Sequence, residues 1–127
     1  MAYSEPVVYK RFKAKEFFEK VMERMPVEVA LSEDGDTQRW SVIAYEPDVE
    51  LDVNKYQITL STKDFVLEAH ISHSTTFGFI ELRDKFSNVY YRLKGLTGYW
   101  VNVKNGRYVI DLFIRLYPVN EARECPP

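Results

Sequence analysis

The chain has little of what staples, anchors or catalyses. Cysteine occurs once in 127 residues, as Cys125. A disulfide framework within one chain is therefore excluded, and a cysteine-based zinc site has no ligand cluster to build on. No apolar run approaches the roughly 20 residues a membrane-spanning helix needs. Met1–Pro6 lacks the basic and apolar parts of a signal peptide, so the expected setting is the reducing cytoplasm, with no membrane partner. Glycine is scarce, at five residues. Gly95-Leu96-Thr97-Gly98 is too short for a phosphate-cradling loop and lies between expected strands. The two histidines, His70 and His73, would point to opposite faces of a strand, with no third ligand evident. No metal site, cofactor or enzymatic activity is expected. The acidic stretch 46–52 reads as a solvated loop rather than a cation site.

What is present suits one soluble domain. A chain of this length can bury roughly two-thirds of its unfolded surface, enough for a core without staples. Hydrophobic residues at 46% and charged residues at 28% are ordinary, but the aromatic share of 15% is high. The net charge of −2 conceals a segregation. Residues 28–68 hold ten acids against three bases, a net of −7, whereas residues 83–117 hold seven bases against two acids, a net of +5. Whole-molecule charge argues against a nucleic-acid partner, and local charge does not.

The periodicity predicts an α+β domain spanning residues 1–127, without repeats or linkers. Its antiparallel sheet covers about 27–117, with an N-terminal amphipathic helix packed on one face. Pro6–Phe12 reads as a short extended segment. Phe17, Phe18, Val21, Met22 and Met25 share one helical face, giving a helix over 13–25 stopped by Pro26. Val27, Val29 and Leu31 alternate into a turn at Glu33-Asp34-Gly35-Asp36. A return strand follows over Gln38–Glu46, with Trp40, Val42 and Ala44 on one side and Arg39, Ser41, Ile43 and Tyr45 on the other. Asp48–Asn54 reads as loop and Tyr56–Leu60 as strand. Residues 65–72 read as strand against a competing helical signal at Ser61. Thr76–Leu82 is a strand interrupted by Gly78, a position that suggests a bulge or a close approach. Val89–Lys94 is a strand, Gly95–Gly98 a connection, and residues 118–127 a flexible tail.

Asn105-Gly106 is a strong hairpin signal, and a two-residue turn there pairs Lys104 with Arg107 and Trp100 with Asp111. Alternation then assigns the faces. Tyr99, Val101, Val103, Tyr108, Ile110, Leu112, Ile114 and Leu116 form an apolar set that must face the core. The opposite face collects Trp100, Asn102, Lys104, Arg107, Val109, Asp111, Phe113, Arg115 and Tyr117. If Val89–Lys94 lies alongside, Tyr90, Arg92 and Lys94 join that face, and Phe77 and Phe79 extend it.

Aromatics on a face with five bases have three explanations. Bases of a single strand stack on the rings while Lys and Arg neutralise phosphates. Alternatively the helix or a second subunit covers the rings and the cations snorkel to water. In the third, Arg–aromatic pairs are internal to the fold. The first expectation is single-stranded DNA, or RNA, bound largely without sequence preference. Its site residues are Tyr90, Arg92, Lys94, Trp100, Lys104, Arg107, Phe113 and Arg115. The alternative is a protein-interaction or assembly module with no nucleic-acid role.

The helix Phe12–Met25, the segment Phe77-Gly78-Phe79-Ile80-Glu81-Leu82, the run Asn88–Lys94 and the stretch from Gly98 to Tyr117 together resemble the atypical archaeal single-stranded DNA-binding proteins of the ThermoDBP type. The resemblance covers about 100 residues and is architectural. It implies sequence-independent binding in a basic-edged aromatic cleft, and homo-oligomers. One departure is the leucine-zipper helix that ends the best-known member. Val119–Pro127 cannot form one, so assembly would need another interface.

Overall fold

The computed structural model describes residues 10–72, 77–86, 90–115 and 121–125. It opens with strand β1 (Lys10–Lys13), helix α1 (Ala14–Arg24), and the hairpin β2 (Glu28–Asp34) and β3 (Thr37–Tyr45). Four shorter strands follow: β4 (Glu50–Val53), β5 (Gln57–Ser61), β6 (Phe65–His70) and β7 (Gly78–Asp84). The chain continues into the long β8 (Tyr90–Lys104), β9 (Arg107–Arg115) and β10 (Glu121–Cys125). Eight strands run in the order β2-β3-β9-β8-β7-β6-β5-β4, every pair antiparallel, while β10 pairs with both β1 and β8.

Chain reach requires this sheet to curl. β3 and β4 stand six strand spacings apart in the order, roughly 29 Å if the sheet were flat. Yet the five steps from Tyr45 to Glu50 span at most about 18 Å. The sheet bends until its ends approach, and the Tyr99 hydroxyl of β8 donates across to the Asn54 carbonyl beyond β4 at 3.4 Å.

The concave side carries one core. Trp40, Val42 and Ala44 from β3 meet Ile58, Leu60, Leu67, Ala69, Ile80, Leu82, Leu93 and the β9 set Tyr108, Ile110, Leu112 and Ile114. From α1 come Phe17, Phe18 and Val21, all fully buried, and the Phe18 ring stacks on Trp40 with centroids 4.4 Å apart. Burial of such rings is the largest apolar contribution available to a chain this rich in aromatics.

Five expectations need correction. Asp48–Asn54 is not all loop, because Glu50–Val53 is an edge strand on β5. Its acids are the charges that keep edges from pairing further, so they masked the alternation of Leu51 and Val53. Residues 118–127 are not simply a tail, since Glu121–Cys125 enters the sheet through backbone pairing that polar side chains do not announce. Gly95–Gly98 does not separate two strands. β8 runs through it with irregularities at Gly95 and Thr97, where it exchanges β7 for β9 as partner. Val103 is not part of the core: at the hairpin tip it is 54% exposed, beyond the reach of the opposite layer. Gly78 begins β7 rather than interrupting it, and a Cβ there would lie 2.0 Å from the His70 carbonyl oxygen. The segment Pro6–Tyr9, His73, Val89, Leu116 and Tyr117 lie outside the described residues.

Candidate functional site

Backbone register places the side chains of the convex face in rows. In β8 and β9, Lys104 pairs with Arg107, Trp100 with Asp111, and Gly98 with Phe113. On the other edge of β9, Phe113 pairs with Arg39, Asp111 with Ser41, and Arg107 with Tyr45. Trp100 is 66% exposed and makes no ring contact or hydrogen bond with a described residue. Phe113 is half-buried between Gly98 and Arg39. Lys104, Arg107 and Arg115 are exposed. Arg115 has Asp36 at 3.7 Å and the Phe77 ring at 5.8 Å. An exposed pair of that length is worth little and leaves the guanidinium available. A depression of about 350 Å³ opens beside Phe113, lined by Ser32, Asp34, Thr37 and Arg39.

The other predicted residues lie past the irregular stretch of β8. Tyr90 pairs with Arg83, Arg92 with Glu81, and Lys94 with Phe79. Here the face is a connected polar network. Arg92 forms a two-nitrogen ion pair with Glu81 and lies 4.4 Å from the Phe79 ring. His70 stacks on the same ring at 4.6 Å and meets the Glu68 carboxylate at 3.0 Å. Glu68 is only 8% exposed, and it also accepts from Arg83 and Gln57. Phe79 is thus engaged within the fold. Beside this network a groove of about 670 Å³ is lined by Val66, Glu81, Arg83, Lys85, Tyr90 and Arg92 among others.

Glu68, His70 and Glu81 bring three potential ligand atoms within 4.8 Å of one another. Each carboxylate, however, is already neutralised by a guanidinium, whose positive charge opposes entry of a cation. The cluster serves a side-chain network better than a metal. Register therefore gathers Trp100, Lys104, Arg107, Phe113 and Arg115 on one part of the face. Tyr90, Arg92 and Lys94 fall on another, with Phe77 beside Arg115 between them. Sequence reasoning missed Arg39 as a member. Its parity on β3 was legible, but nothing local announced that β3 lies against β9.

No family model, curated protein or solved structure matches this chain. Among the described residues no helix is long and apolar enough to cross a membrane.

Proposed function

We propose that the chain is a binding domain without catalytic activity that takes single-stranded nucleic acid, DNA in the first instance, on the convex face of β3, β8 and β9. One observation carries the reading: an indole two-thirds exposed stands on a face bordered by Arg39, Lys104, Arg107 and Arg115. An exposed indole among cations offers apolar surface that a ligand ring can cover. Nucleobases offer a matching π surface, and their phosphates match the cations. In this reading α1 packs against the concave face, leaving the convex face for the strand. It follows the mode implied by the resemblance to the archaeal proteins, in a cytoplasmic setting.

Oligo-dT titrated at low salt should quench the Trp100 fluorescence, leave the buried Trp40 emission, and lose affinity as salt rises. Trp100→Phe should abolish most of the quenching. Light scattering recorded alongside reads self-association, for which the acidic segment 28–68 and basic segment 83–117 of two copies are complementary. Absence of binding at low salt, with mass rising with concentration, would reject the reading and make this face an assembly interface.

A further inference from the structure

Three of the five glycines have positive φ, and Gly78 is held by the close approach of His70. Gly98 has neither of these reasons, though it follows the bulge at Thr97, a setting in which strand glycines are common. Its φ is ordinary, and a Cβ there would meet nothing within 4 Å. A glycine inside a strand weakens it by roughly 0.5–1 kcal/mol relative to alanine, so its presence on the most aromatic part of the convex face calls for a use. Interior strand glycines mark places where another group comes close to the backbone. Here the bulge at Thr97, whose hydroxyl donates to the Phe113 carbonyl at 3.1 Å, sets Gly98 opposite Phe113 and two residues before Trp100.

We infer that Gly98 is the floor of a slot that receives one unpaired nucleobase, flanked by Trp100 and Phe113. Side chains two apart on a strand repeat at about 7 Å, and diagonal neighbours across a pair lie about 7–8 Å apart. One planar ring in contact on both faces needs about 7–8 Å, twice an optimal carbon–carbon separation. Glycine leaves its corner of the square formed with Phe113, Trp100 and Asp111 without a side chain, so the space of about 7–8 Å between the two diagonal rings is open on that side, with Asp111 on the other. The Trp100 and Phe113 rings make no contact with each other, so the gap is open. Arg39 and Arg115 border it on the β3 side and at the end of β9, where the phosphates on either side of an inserted base would run. The slot admits a base only when it is unstacked from its neighbours and unpaired. It thus selects single strands over duplex by shape rather than by sequence.

This inference rests on the nucleic-acid reading, and the test separates the two. Gly98→Ala, Gly98→Val and Trp100→Ala are compared with wild type by titration with oligo-dT and with a duplex of equal length. Because the Cβ has open space and φ is ordinary, the Gly98 variants should keep the wild-type urea midpoint or raise it. Oligo-dT affinity should fall in the order Ala then Val, by about tenfold or more for Val, the loss of roughly one base–aromatic stack. The wild type should prefer the single strand by at least the same factor. If wild type binds oligo-dT and Gly98→Val binds it equally with full quenching, the slot is overturned and the broader reading stands. Equal affinity for duplex also overturns the slot. If wild type fails to bind oligo-dT at all, the broader reading falls and the slot with it.

Discussion

The carboxylates of Glu68 and Glu81 lie deeper than the guanidiniums that neutralise them, with side-chain exposures of 11% and 15% against 52% for Arg83 and 33% for Arg92. A half-buried carboxylate deprived of its partner loses more than an exposed cation does. Arg92→Ala leaves Glu81 without its ion pair and should cost about 1–3 kcal/mol, read as a lower urea midpoint at unchanged slope. Arg83→Ala should cost less, because Glu68 keeps His70 and Gln57. Arg92→Ala should also weaken oligo-dT binding less than Arg107→Ala, since its guanidinium is committed within the fold. The reverse order would assign Arg92 to phosphate. At the other end of the molecule the Tyr108 hydroxyl donates to Glu46. That bond, with burial and the charge of Glu46, raises the tyrosine pKa above its ordinary value near 10. A raised folded-state pKa favours the protonated form in the fold. The stability it confers is complete below pH of about 10 and is lost as pH rises through the folded value. Alkaline urea midpoints should fall more steeply for wild type than for Tyr108→Phe, and parallel curves would remove Tyr108 from the account.

At the scale of elements, α1 was readable because its apolar positions recur with helical period between two clear ends, Lys13 and Pro26. Phe18 is the side chain that fixes it, fully buried and stacked on Trp40. Phe18→Ala should cost about 3–5 kcal/mol by loss of transfer energy and the cavity left behind. Urea unfolding followed by Trp40 fluorescence measures it, and a cost below about 1 kcal/mol would show that α1 is not held by this stack. The β8–β9 register was equally readable, since a two-residue Asn-Gly turn leaves one alignment: Lys104 opposite Arg107. β4 and β10 were not: β4 is an edge strand whose acids hide its alternation, and β10 is held between β1 and β8 by backbone pairing that its sequence does not advertise. The bulges of β8 were likewise hidden. Glycine at 95 and 98 reads equally well as a connection or as an irregularity within a strand.

For the whole molecule, a net charge of −2 does not by itself oppose the proposed binding, because acids and bases are segregated by segment. Four cations border the proposed path: Arg39, Lys104, Arg107 and Arg115. At roughly −0.7 per phosphate for single strands, log K against log salt should have a slope of about −3. A slope near zero would remove the phosphates from the interface. Local order alone settled the α+β class, the amphipathic helix and the alternation of side chains along the β8–β9 hairpin, since periods of 3.6 and 2 are written in adjacent side chains. Tertiary structure decided which of those residues stand together. It brought Arg39 beside Phe113, tied Arg92 and Phe79 into a network with Glu68, Glu81 and His70, and carried β8 unbroken across its glycines. These outcomes depend on strands distant in sequence pairing as the sheet closes around one core. No local period encodes which strand will be the neighbour.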